Sequence, residues 1–165
     1  MDKIFTISFR KLNPAAIIPS FKTFGAVAMD LHTIGERGGP AKDVVIPPQT
    51  TVVTRTGLVL ERCPAGVHGE IVLRSSTAIK YPGLILANET GIIDEDYCGP
   101  EDEIFIMLRN LHNYDTYKIG LGERIAQLLL RETCRPFITE LPYETRLHNG
   151  DRPTRPSRGG LGSTG

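Results

Sequence analysis

Gly122-Glu123-Arg124-Ile125-Ala126-Gln127-Leu128-Leu129-Leu130-Arg131 is the stretch on which the fold class turns. It is built from good helix formers, and Ile125, Leu128 and Leu129 fit a 3.6-residue period. Read that way, it is a short amphipathic helix. Its shortness and the glycines at 120 and 122 equally suit a buried strand. The local pattern leaves both readings open.

Outward from it, the chain reads as strands. Lys3–Arg10 alternates, with Phe5, Ile7 and Phe9 on one face. Val44-Val45-Ile46 is closed by Pro47-Pro48. Thr51–Leu60 is rich in β-branched residues, and its Gly57 marks a bulge. Cys63-Pro64-Ala65-Gly66 reads as a turn. Val67–Leu73, Leu84–Ala87 and Ile104–Leu108 are further apolar runs of strand length. Short strands at this spacing, with turn residues between them, indicate a sandwich, barrel or jelly roll.

Composition points the same way. The 165 residues suit one domain. The 17 glycines and 12 prolines argue against a helix bundle, since both weaken helix interiors. Lys plus Arg and Asp plus Glu both number 19, so the net charge is zero. A chain that grips nucleic acid carries a basic excess, so neither nucleic acid nor a membrane surface is expected as a partner. Cys63, Cys98 and Cys134 are odd in number and lack a Cys-x-x-Cys pair, which disfavours a disulfide scaffold or zinc site. The four histidines, His32, His68, His112 and His148, show no ligand spacing. No apolar run approaches the ~20 residues of a transmembrane helix, and the N-terminus has no signal-peptide core. The expectation is a cytoplasmic protein. Residues 149–165 hold five glycines, two prolines and three arginines, a composition that cannot bury a core of its own. They are expected to be a flexible C-terminal arm following a β domain over 1–148.

Five clusters carry candidate chemistry. In Arg158-Gly159-Gly160-Leu161-Gly162-Ser163-Thr164-Gly165, glycines free backbone N–H groups to turn toward an anion, while Arg158 and the hydroxyls suit phosphate. A solvated tail has the same composition. In Gly91-Ile92-Ile93-Asp94-Glu95-Asp96-Tyr97-Cys98-Gly99, Asp94 and Asp96 share a face if the segment is extended, and a carboxylate there can act as a general base. Tyr97 offers a flat face to a ring. The plain alternative is an acidic turn. Arg74-Ser75-Ser76-Thr77 is a polar strand end suited to phosphate oxygens. Asp30, in Ala28-Met29-Asp30-Leu31, reads by itself as a turn aspartate. Arg124 and Gln127 are either a surface pair or two groups facing a site.

The order of these blocks is more telling than any one of them. Ala-x-Asp-Leu, Arg-Ser-Ser, Gly-x-Ile-Asp-x-Asp-Tyr-x-Gly, Gly-Glu-Arg-x-Ala-Gln-Leu and Arg-Gly-Gly-x-Gly-Ser-Thr-Gly follow one another over residues 20–165. The chain thereby resembles the trimeric dUTPase family. The resemblance implies an all-β, distorted jelly-roll barrel, a homotrimer with active sites shared between subunits, and a strand at 123–131. It implies Mg2+-assisted hydrolysis of dUTP to dUMP and pyrophosphate. By similarity, Asp94 is the base that deprotonates the attacking water, Tyr97 packs on the deoxyribose, and Asn88 reads uracil from a β-hairpin. Gly91 gives the nucleoside close backbone approach. Arg74, Ser75, Ser76 and Gln127 face the phosphates, and Asp30 stands near the metal's water shell. Arg124 supports the framework. Arg158, Leu161, Gly162, Ser163 and Thr164 belong to an arm that closes over the substrate. Mg2+ keeps several waters and prefers substrate phosphates, so a dense ligand cluster is not required.

The chain departs from the family pattern in three places. Leu161 stands where the family has a phenylalanine that stacks on uracil, a loss of about 1 kcal/mol of aromatic contact. Arg158 lies closer to the glycines than usual, and Arg155 can share its role. Cys98–Glu103 reads as a slightly expanded turn, and the first twenty residues carry no family signal. Two rival readings follow. The related dCTP deaminases carry a glutamate three residues before the asparagine that matches Asn110, and here that place is Met107. A binding or signalling protein of the same fold without catalysis is the other.

Overall fold

The stretch that decides the fold is a strand. β11 (Arg124–Glu132) runs antiparallel between β2 (Ala28–His32) and β6 (Val67–Leu73), so both of its backbone edges are paired. Its helical look has a local cause. The register with β2 slips between Arg124 and Ala126. Ile125 and Ala126 are therefore both fully buried, next to the normal inward partner Leu128. An irregularity added to a two-residue alternation imitates a 3.6-residue spacing.

The computed structural model describes residues 5–140. The chain divides into two units, Met1–Cys134 and Arg135–Gly165. Of the second, residues 135–140 carry neither helix nor strand. The expected boundary at 148/149 and the whole expected arm lie outside the described residues.

The first unit is built from antiparallel sheets. One has the order β2-β11-β6-β8, with β8 at Gly91–Ile93. The other has the order β1-β5-β9-β7, from β1 (Ser8–Lys11), β5 (Thr51–Arg62), β9 (Glu103–Asn110) and β7 (Leu84–Leu86), with β3 (Gly35–Glu36) also on β5. β4 (Val44–Ile46) pairs with β10 (Tyr117–Ile119). The core joins Leu31 and Ile71 to Ile104, Ile106, Leu108 and Leu128 from both sheets. Alternation along β9 sends 104, 106 and 108 inward. The first strand is shorter than its alternation suggests and starts at Ser8.

Gly57 forms the expected bulge. Its φ is +69°, and the β5–β9 register breaks between Arg55 and Val59. A Cβ there would stand 2.6 Å from Ile34 Cδ1 and 2.9 Å from the Ala16 Cβ. Glu103 is buried against the bulge. Its Oε1 accepts the Gly57 N–H at 2.7 Å, and its carboxylate pairs with Arg55 Nε at 3.1 Å. Among the described residues one helix interrupts the strands, α1 (Ser75–Lys80), where the sequence reading has only a polar strand end. It is stapled in place by Thr77, whose buried hydroxyl donates to the Ile125 carbonyl at 2.8 Å.

Candidate active site

Four of the expected residues meet in one pocket. Asn88, Gly91, Asp94 and Tyr97 line a cavity of ≈ 160 Å³ together with Ile71, Ile93, Glu103 and Met107. The pocket sits where the two sheets meet: Ile71 and residues 91–93 come from β6 and β8, and Glu103 and Met107 from β9. The turn Ala87–Thr90 joins β7 to β8. Those strands pair with different neighbours, β9 and β6, so Asn88 stands on a crossover between sheets and not in a paired hairpin.

Asp94 follows β8 directly and is exposed. The segment after it is not extended. Tyr97 N donates to the Asp94 carbonyl at 3.1 Å, closing a turn, so Asp94 and Asp96 do not share a strand face. The Tyr97 hydroxyl donates to the Glu103 carbonyl at 3.0 Å, which fixes the ring against β9. Burial, followed by the Asp102 charge, pushes the Tyr97 phenol above its usual value. It therefore remains a protonated donor at neutral pH. Gly91 is closely packed within the chain itself. A Cβ there would stand 3.2 Å from the Ile71 Cβ and 3.5 Å from the Asn88 amide nitrogen.

A second group of expected residues gathers around Asp30. This carboxylate is 1% exposed. Its Oδ1 accepts from Arg74 Nε at 2.9 Å and Gln127 Nε2 at 3.2 Å, and its Oδ2 accepts from Arg124 Nη1 at 3.1 Å. The strand register makes this possible, since Gln127 lies directly opposite Asp30 and Arg74 follows the end of β6. Burial pushes the Asp30 carboxyl up, but Arg74, Arg124 and Gln127 together outweigh it and hold the value below the usual 3.8. The carboxylate that the family resemblance sets near a metal's water shell is therefore, in this fold, the centre of a hydrogen-bond network. Three donors occupy the buried carboxylate, and its evident work is to aim two guanidinium groups and an amide. Arg74 and Ser76 line a polar concavity with Arg124, and Ser75, the first residue of α1, is exposed beside it.

The two groups share no lining residue. Arg155, Arg158, Leu161, Gly162, Ser163 and Thr164 lie outside the described residues. Asn110 is buried, and its amide donates to the carbonyls of Ile46 and Asp115 at 3.1 and 2.7 Å, so it serves the framework. Met107 lines the first pocket and brings no carboxylate to it.

Sequence reasoning missed Glu123. It accepts from Lys80 Nζ at 2.6 Å and from the Tyr81 hydroxyl at 2.9 Å, tying the end of α1 to the start of β11. Its place in the Gly-Glu-Arg block was the available signal, but the block does not reveal a partner 42 residues away.

Comparison with known proteins adds an independent line. A model of the dUTPase family matches residues 17–165. The deoxyuridine 5'-triphosphate nucleotidohydrolase of Helicobacter pylori strain J99 is 33% identical over 159 residues, 96% of each chain. The protein so named from Clostridioides difficile is 34% identical over 162 residues, 98% of this chain and 99% of that one. Among solved structures, a mutant dUTPase of Staphylococcus bacteriophage 80alpha with dUpNHpp has a TM-score of 0.72 at 24% identity, over 97% of this chain and 98% of that one. A mutant dUTPase from phage phi11 of S. aureus, described with a structural Mg(II) ion, has a TM-score of 0.70 at 23% identity, over 86% and 100%.

Proposed function

The chain belongs to the dUTPase family, enzymes that hydrolyse dUTP, and from that premise we propose that Asp94 is its general base and Asn88, Gly91 and Tyr97 its nucleoside contacts. The observation that carries this reading is the meeting of these four residues in one pocket. Water attacks the α-phosphorus, Asp94 takes its proton, and the bond to the β-phosphate oxygen breaks with pyrophosphate leaving. The roles fit the chemistry. Phosphoanhydride cleavage asks for alignment and charge neutralisation more than for covalent help. Asp94 has the exposure to meet water, and the anchored Tyr97 ring offers a fixed wall for the deoxyribose.

Arg74, Ser75, Ser76 and Gln127 are the proposed phosphate contacts, with Asp30 and Arg124 holding Arg74 and Gln127 in position. That no residue lines both this cluster's concavity and the nucleoside pocket supports a homotrimer in which one subunit's phosphate-contacting residues complete another's pocket. Residues 149–165 are proposed to close over the triphosphate, with Arg158, or Arg155 in its stead, adding positive charge and Leu161 covering the base.

Mg2+ is proposed to arrive on the triphosphate, where it would neutralise charge while keeping most of its waters. Among the described residues no group of three or more His, Cys, Asp or Glu side chains is placed to hold an ion. Asp30 accepts from three donors, so its proposed contact with the ion would run through a water. These residues therefore do not fit a resident metal cage, and the steps above rest on the chain's own groups. No helix among the described residues is long and apolar enough to cross a membrane; cytoplasmic location is part of the proposal.

The test is incubation with dUTP, dCTP or dTTP in the presence of Mg2+, with products separated by chromatography. dUMP and pyrophosphate from dUTP alone are expected. A uracil nucleotide from dCTP would instead mean deamination, against which the thioether of Met107 already speaks. Tight nucleotide binding without turnover would leave a binding protein.

A further inference from the structure

We propose that Glu95, the residue between the two aspartates of the catalytic turn, is a positioning residue that fixes Asp94 by anchoring the turn through Gly66 to the end of β11. The inference rests on the assignment of Asp94 as base and adds a group that this assignment does not use.

The contacts form a continuous line. Glu95 Oε2 accepts the Gly66 N–H at 2.6 Å. The carbonyl of the same Gly66 accepts the Thr133 N–H at 2.8 Å. Thr133 is the residue after β11 and is held a second time, its hydroxyl 2.8 Å from His68 Nδ1 on β6. One glycine thus gives its donor to the catalytic turn and its acceptor to the sheet. Gly66 has φ +75°, a conformation that L side chains rarely adopt, and its turn is closed by the Val67 N–H on the Pro64 carbonyl at 3.1 Å.

The need for such an anchor is visible in the turn itself. Asp94 and Asp96 are both exposed. The turn has one internal backbone bond, Tyr97 N to Asp94 O, and Tyr97 ties its far end to β9. The near end, which carries the base, is tied sideways by Glu95, the next residue along the chain. A carboxylate accepting a backbone N–H is among the stronger hydrogen bonds, roughly twice a neutral one. A general base works only within hydrogen-bond reach of its water, and a displacement of about 1 Å costs on the order of a hundredfold in rate. Glu95 faces Gly66 and is absent from the pocket lining, so its effect runs through the backbone and not through substrate.

The experiment compares the full chain with Glu95→Ala and Glu95→Gln. Glu95→Ala is expected to lower kcat for dUTP by about tenfold, with KM shifted less than about threefold. Glu95→Gln keeps a carbonyl acceptor and is expected to recover most of kcat. The acid limb of the kcat–pH profile should stay where it is in all three proteins, since the residue holds a position and does not tune a charge. Hydrogen exchange at the Gly66 amide should quicken in Glu95→Ala and much less in Glu95→Gln. Equal losses in the two variants, a moved acid limb, or an unchanged kcat in Glu95→Ala would each overturn the proposal. So would a drop in thermal stability with kcat intact at lower temperature, the mark of a merely structural contact. If the unmodified chain does not turn over dUTP, the catalytic reading falls and this role with it. Failure in the variants alone leaves that reading standing.

Discussion

A carboxylate's role here follows from its surroundings more than from its place in a motif. Asp94 and Asp30 both stand in recognisable blocks, yet one is exposed at a pocket and the other is buried among three donors. Asp94→Asn removes the proposed proton acceptor and keeps the shape. Its turnover of dUTP should fall by at least about a hundredfold, while calorimetry with dUpNHpp shows binding within a few-fold of the unmodified chain. Asp30 predicts a pH dependence. Its folded-state value lies below the usual 3.8, so the unfolded chain takes up its proton first as pH falls. The stabilisation is fully present above that usual value and is lost as pH drops through the lowered one. Urea midpoints across pH 2.5–6 should therefore decline less steeply in Asp30→Asn than in the unmodified protein, on top of a uniform loss from the broken network.

At the scale of elements, the β5 bulge is the clearest case of one side chain serving several demands. Glu103→Ala would leave the Arg55 guanidinium part-buried without its partner and the Gly57 N–H without an acceptor. We expect a loss of about 3 kcal/mol, read as a lower urea midpoint at unchanged slope. Strands at Val44–Ile46, Thr51–Leu60, Val67–Leu73, Leu84–Ala87 and Ile104–Leu108 were legible in the sequence because these runs carry β-branched or apolar residues between turn signals, whereas the three residues of β8 were too few to read. β11 was not legible by itself, since the slip near Ile125 depends on a partner strand almost a hundred residues away. Four of the five blocks supply residues that the fold gathers into two clusters, and the fifth lies outside the described residues. The blocks could not show that Asp94–Tyr97 is a turn, or that Asp30 is enclosed. The turn is closed by its own backbone bond, which an alternating polar pattern does not announce, and the enclosure of Asp30 arises from Arg74, Arg124 and Gln127, 44 to 97 residues away. α1 was missed because Arg74-Ser75-Ser76 offers no side-chain cap, and its helix is held by Thr77 and Glu123 instead.

At the scale of the whole molecule, the proposed homotrimer with shared sites would make oligomerisation a condition of activity. A light-scattering mass near three times that of one chain is expected, with turnover lost on dilution to monomer. Removing residues 155–165 should leave the melting temperature within about 2 °C and cut turnover by at least about tenfold. A truncated protein with full activity would show that the segment takes no part in closure. The position of the nucleoside pocket has a consequence of its own. Its walls come from opposite sheets, joined by the crossover at Ala87–Thr90. The gap proposed to receive the nucleoside is thus gauged by the spacing of the two sheets, and Ile71 belongs to both the core and the pocket. On that proposal, a change in the size of an interior side chain such as Ile71 would also change the fit of the ligand.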